Sequence, residues 1–109
     1  MNPYKVLDIA DNAGEAEVKT AFRKLAKQYH PDKNKDPKAK SIFQNILTAY
    51  EVLKENNYQP NTSFNKSDII NINEAIRKYR DLKKEGFFNN YSDYVKGNTF
   101  WRSLRNKPK

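Results

Sequence analysis

Residues 12–29 read NAGEAEVKTAFRKLAKQY, and this segment decides the fold. Asn12 reads as an N-cap, with Glu15 three residues on as a capping box requires. Val18, Ala21, Leu25 and Tyr29 recur at spacings of three, four and four. That rhythm lines one face of a helix with apolar side chains. The opposite face holds Lys19, Arg23, Lys24 and Lys27, with no acid between positions 19 and 27. Pro31 disfavours helical geometry at His30, so the helix stops near Tyr29. The pattern predicts a helix over 13–29.

Downstream, Phe43, Ile46, Tyr50 and Leu53 are spaced three, four and three, and Ile42, Leu47 and Ala49 widen the stripe. A second helix is expected over 39–55. Neither helix can bury its stripe alone, so the two are expected to pack as an antiparallel hairpin. Burial at about 25 cal/mol per Å² of apolar surface makes these contacts the main favourable contribution. Tyr4, Leu7 and Ile9 suit a brief helix over 3–8 that covers one edge. The fold class is therefore all-α: a helical hairpin, a short N-terminal helix and a C-terminal helical extension.

Composition removes most chemistry. The 109 residues contain no Cys, which excludes disulfides, thiolate metal sites and thiol nucleophiles. A single His excludes a multi-His metal cage. Gly14, Gly86 and Gly97 are too far apart for a phosphate loop. No cofactor or metal is expected. No apolar run approaches the roughly 20 residues of a membrane span, and Met1-Asn2-Pro3-Tyr4 is no signal segment, so a soluble, cytoplasmic chain is expected. The net charge of +8 is uneven. Residues 1–56 hold 10 Lys and Arg against 8 Asp and Glu, whereas residues 57–109 hold 11 against 5.

The connection from His30 to Lys38 is charged and offers almost nothing to a core, so stability does not demand its composition. For His30, no Ser, Cys or metal stands beside it to support general-base work, which leaves a helix-ending residue or a recognition residue. Tyr29 and Phe43 read as core. Phe22 sits beside both the stripe and Arg23, and suits either core or a partly exposed aromatic among cations.

Tyr29-His30-Pro31-Asp32-Lys33-Asn34, set between a basic amphipathic helix and Phe43…Ala49-Tyr50-Glu51-Val52-Leu53, resembles the J domain of DnaJ-type co-chaperones. Pro3-Tyr4-Lys5-Val6-Leu7-Asp8-Ile9 and Val18-Lys19-Thr20-Ala21-Phe22-Arg23-Lys24-Leu25-Ala26 carry the resemblance to about residue 55. It implies docking on a DnaK-type heat-shock chaperone and stimulation of its ATP hydrolysis, coupled to client protein handling. The loop required for stimulation would be His30, Pro31 and Asp32. The docking face would be Lys19, Phe22, Arg23, Lys24 and Lys27, extended by Lys33 and Asn34. The chain itself would perform no chemistry. Many family members carry a fourth helix with a Gln-Lys-Arg-type sequence. Here Glu55-Asn56-Asn57-Tyr58-Gln59-Pro60 stands in its place, and neither a Gly/Phe-rich segment nor a zinc module follows.

Residues 1–56 thus read as a J domain, 57–66 as a linker or loop, and 67–109 as a basic, aromatic-rich extension. Within the extension, Asn71 and Glu74 suit a capping box, Ala75, Ile76, Tyr79 and Leu82 form a face, and Gly86 suits a helix end. A helix is expected over 72–85. The aromatics Phe87, Phe88, Tyr91, Tyr94, Phe100 and Trp101 are dense for a disordered tail. Three uses rank in order: packing on the hairpin in place of the missing helix, a docking surface for a client, adaptor or anionic membrane, and a nucleic-acid surface. The rival to a co-chaperone is therefore a basic helical nucleic-acid-binding protein acting through residues 67–109.

Overall fold

The computed structural model describes residues 1–88. Tyr91, Tyr94, Phe100, Trp101 and the terminal cations Arg102, Arg105, Lys107 and Lys109 lie outside the described residues. Four α-helices follow one another: α1 (Pro3–Val6), α2 (Glu15–Tyr29), α3 (Pro37–Glu55) and α4 (Ile72–Lys84), with a 3-10 turn at Lys66–Asp68 before α4. No strand occurs among the described residues.

The hairpin of α2 and α3 forms as the periodicity predicts, with shifted starts. The N-cap of α2 is Gly14 and not Asn12, and no side chain caps it. The Ala13 N–H instead donates to the Ala10 carbonyl at 3.0 Å and Ala13 is buried, so the preceding turn delays the helix. Glu15 and Glu17 in the first turn complement the positive end of the helix dipole. Helix α3 starts two residues earlier than expected. The Asp36 carboxylate accepts from the Lys38 N–H at 2.8 Å, and Pro37 takes the first helical position, where no N–H is needed.

Helix α3 ends with left-handed residues Asn57 and Tyr58, whose φ angles are 55° and 59°. The Tyr58 N–H reaches back to the Leu53 carbonyl at 2.8 Å, closing a Schellman motif with Asn57 in the position glycine usually takes. The chain then runs back along α1. The buried Tyr4 hydroxyl donates to the carbonyls of Tyr58 and Gln59 at 2.9 and 3.1 Å, and the Phe64 N–H donates to Met1 O at 3.0 Å. Phe64 of this strap is buried.

The extension packs on the hairpin through residue 88. Ile70 is clamped to α3 on both sides: its carbonyl accepts from Gln44 Nε2 at 2.9 Å, and its N–H donates to Thr48 Oγ1 at 3.0 Å. Thr48 is buried and its hydroxyl donates to the Gln44 carbonyl at 2.8 Å, so both of its hydrogen-bonding roles are used. Thr48→Val keeps the shape and removes the acceptor, leaving the Ile70 N–H without its partner. A loss of about 1–3 kcal/mol is expected in urea unfolding, and a loss below the lower figure would mean that the clamp is dispensable.

Asn71 caps α4 through the Glu74 N–H at 2.8 Å. The helix ends at Lys84, one residue before the expected boundary, with Gly86 at φ 82°. The Phe87 N–H bonds to the Leu82 carbonyl at 3.0 Å and the Gly86 N–H to Lys83 at 3.1 Å, a second Schellman motif. That turn throws Phe87 and Phe88 back onto the hairpin. Phe22 stacks on Tyr50 with centroids 4.3 Å apart, and both Phe87 and Phe88 lie 5.8 Å from Phe22. Of the three uses considered for the extension, its described part fits packing on the hairpin.

Candidate functional site

The His-Pro-Asp turn sits where α2 stops. His30 has extended backbone angles (φ −60°, ψ 133°), as a residue before proline favours. Its carbonyl accepts from the N–H groups of both Lys33 and Asn34 at 2.9 Å, which tightens the turn. Asn34 donates from its amide to the Gln28 carbonyl at 3.3 Å and accepts from the Asp36 N–H at 3.0 Å. The loop is thus held by its own short polar side chains.

His30 departs from the expectation of a loop side chain outside the core. Its side chain is 14% exposed, with its ring 5.2 Å from Phe43 and 4.5 Å from Tyr79 of α4. Tyr79 closes over an imidazole that the hairpin alone would leave open on that side. The Asp32 N–H donates to His30 Nδ1 at 3.1 Å, so that nitrogen is an acceptor and the ring proton resides on Nε2. Burial holds the pKa of His30 below its usual value. The Asp32 carboxylate opposes that shift, and Lys83 and Arg80 reinforce it. The lowered pKa favours the neutral imidazole, a packed, hydrogen-bonded brace for the turn.

Asp32 is its opposite. The carboxylate is 93% exposed and stands 3.9 Å from His30 Nδ1, too far for a hydrogen bond. Nothing in the fold requires this acid, whereas its backbone is fixed.

The cationic face of α2 divides. Lys19 pairs with Glu15 at 2.7 Å. Arg23 donates from Nε to the Phe87 carbonyl at 2.8 Å, with its guanidinium 4.5 Å from the Phe87 ring, so the extension already engages it. Lys24 is exposed. Lys27 and Lys33 line a cleft with His30 and Asp32. Phe22 is a correction: it is fully buried against Tyr50, and its ring is no part of an exposed docking face. Its position between the stripe and Arg23 left both readings open, and the aromatics of residues 87 and 88 close it off.

The cleft also contains Ile76, Tyr79, Arg80 and Lys83 of α4, which the sequence reading did not connect with the loop. Their spacing of three, one and three places them on one helical face, a legible signal. Its neighbour in space was not legible. Among the described residues no group of three His, Cys, Asp or Glu side chains could hold a metal ion, and no helix is long and apolar enough to cross a membrane.

Two helices locked antiparallel, a braced His-Pro-Asp turn at their end and a cationic flank define a J domain. The chain belongs to the DnaJ-domain family, whose family model matches residues 2–61. It is 36% identical over 90 residues to DnaJ homolog subfamily C member 16 of Rattus norvegicus, covering 83% of this chain and 11% of that protein. The Homo sapiens protein of the same name is 31% identical over 100 residues, 92% of this chain and 12% of the relative. Alignments of that length extend past the DnaJ domain itself. The chloroplastic chaperone protein dnaJ A6 of Arabidopsis thaliana is 56% identical over 52 residues, 48% of this chain and 12% of that protein. The chain thus spans 11–12% of the length of these relatives. No solved structure matches it.

Proposed function

We propose that the protein is a J-domain co-chaperone that docks on a DnaK-type chaperone and stimulates its ATP hydrolysis through His30-Pro31-Asp32. The observation that carries this reading is the contrast between the two functional side chains. His30 is mostly covered and braces the turn, while the Asp32 carboxylate is presented to solvent on a fixed backbone. A charged group so placed is preorganised for a partner. In this reading the chain itself performs no chemistry and acts on the ATP hydrolysis of its partner.

The cations of α2 steer the encounter and weakly hold an acidic surface of the partner. Lys24 is the informative position, because it is exposed, whereas Arg23 also ties the extension to α2. Lys24→Glu is expected to weaken binding by about 1 kcal/mol, roughly fivefold, and to flatten the salt dependence of affinity. Binding isotherms against a purified DnaK-type chaperone at two salt concentrations, with steady-state ATPase rates alongside, test the reading. Equal affinity and an equal salt slope would remove the charged-face mechanism. Absence of any stimulation by the unaltered chain would remove the function.

A further inference from the structure

The cleft beside the His-Pro-Asp turn is built by two parts of the chain far apart in sequence. The hairpin supplies Lys27, His30, Asp32 and Lys33; α4 supplies Ile76, Tyr79, Arg80 and Lys83. Together they enclose about 420 Å³, room for a few side chains of a partner rather than a large ligand. Four of the eight lining residues are cations, and the single acid, Asp32, points to solvent.

This placement of charge is not explained by the packing of α4. Two other cations of that helix are paired: Arg77 with Glu74, and Lys78 between Glu51 and Glu74 at 3.7 and 3.8 Å, while Lys84 in the last turn lies outside the cleft. Among the described residues, by contrast, no ion pair holds Lys33, Arg80 or Lys83. Their field reaches the turn, since Arg80 and Lys83 both disfavour a proton on His30. Lys33, Arg80 and Lys83 line one cleft, and like charges so gathered repel one another. The cleft also carries an apolar wall, Ile76 and Tyr79, with the Tyr79 ring against His30.

We infer that α4 is the second half of the docking surface: Arg80 and Lys83, facing Lys27 and Lys33, seat an acidic segment of the DnaK-type partner beside His30-Pro31-Asp32. Carboxylates of that segment lie between the cations, and an adjacent aliphatic side chain covers Ile76 and Tyr79. Arg80 supplies the planar fork that suits a carboxylate, and the lysines supply adaptable point charges. The inference rests on the docking reading above and extends it to a helix outside the matched DnaJ domain, which ends at residue 61.

The double substitution Arg80→Gln with Lys83→Gln tests it. Both positions are exposed and glutamine keeps helix propensity, so circular dichroism should match the unaltered chain. The chain concentration for half-maximal stimulation of a purified DnaK-type ATPase is expected to rise about tenfold, with a shallower salt slope. An unchanged half-maximal concentration would overturn the inference and leave the docking reading standing. A lower one would also overturn it, since α4 would then obstruct docking instead of assisting it. Loss of binding to phosphatidylglycerol vesicles with unchanged ATPase behaviour would overturn it in favour of a membrane surface. If the unaltered chain gives no stimulation, the docking reading itself fails.

Discussion

Asp32→Asn is expected to bring stimulation of a DnaK-type ATPase down to the unstimulated rate while leaving the fold intact. The carboxylate is 93% exposed and makes no hydrogen bond within the described residues. Asparagine is isosteric, and the contact that positions residue 32 comes from its backbone N–H to His30 Nδ1 at 3.1 Å, which the substitution leaves in place. Surface replacements of this kind change stability by about 0.5 kcal/mol or less, so the thermal midpoint should stay within about 3 °C of the original. His30→Gln is a less selective probe. It removes a ring that packs on Phe43 and Tyr79, so it should reduce stimulation and loosen α4 together. Steady-state ATPase rates with thermal melts separate the two. Full stimulation by the Asp32→Asn chain would remove this residue from the mechanism.

The largest effect on stability is expected at Phe22. Its ring is fully buried, stacked on Tyr50 at 4.3 Å and flanked by Phe87 and Phe88 at 5.8 Å. Phe22→Ala removes apolar area and leaves a cavity where α2, α3 and Phe87 and Phe88 meet, a loss of about 3–5 kcal/mol. For a domain of this size that lowers the thermal midpoint by at least about 12 °C. Phe22→Leu keeps most of the volume and should cost less than half as much. The two accounts of Phe22 make opposite forecasts. A docking aromatic would lose affinity and keep its midpoint, whereas a core aromatic loses its midpoint first. A midpoint unchanged in Phe22→Ala would place the ring outside the core.

The extension has a defined consequence for the site. Rings from three parts of the chain run in sequence from Phe43 to His30, Tyr79, Phe88, Phe22 and Tyr50. The turn and the basic helix are therefore braced by residues beyond the hairpin. This is where the charge excess of residues 57–109 acquires structural meaning. Part of it, at Arg80 and Lys83, stands beside the His-Pro-Asp turn.

Legibility followed the range of the interactions. The helix and its stop before Pro31 are local properties and appear as read, whereas the buried line of α2 runs through Val18, Phe22 and Ala26, with Ala21, Leu25 and Tyr29 only partly buried beside it. The starts of α2 and α3 moved because short-range alternatives competed. A turn at Ala10–Ala13 overrode Asn12, while Asp36 with Pro37 outbid a later start. Asn71 and Gly86 kept the roles expected of them, because cap geometry depends on neighbours within a few residues.

By itself the sequence determined the helical hairpin, the position of the turn and the identity of His30-Pro31-Asp32, because periodicity, capping and proline act over a few residues. The tertiary structure alone decided that Phe22 is core, that His30 is enclosed by Tyr79, and that Arg80 and Lys83 share a cleft with Lys27 and Lys33. Each of these depends on where α4 comes to rest. That is set by the Ile70 clamp on Gln44 and Thr48 and by two rings thrown back at Gly86, contacts that no local spacing encodes.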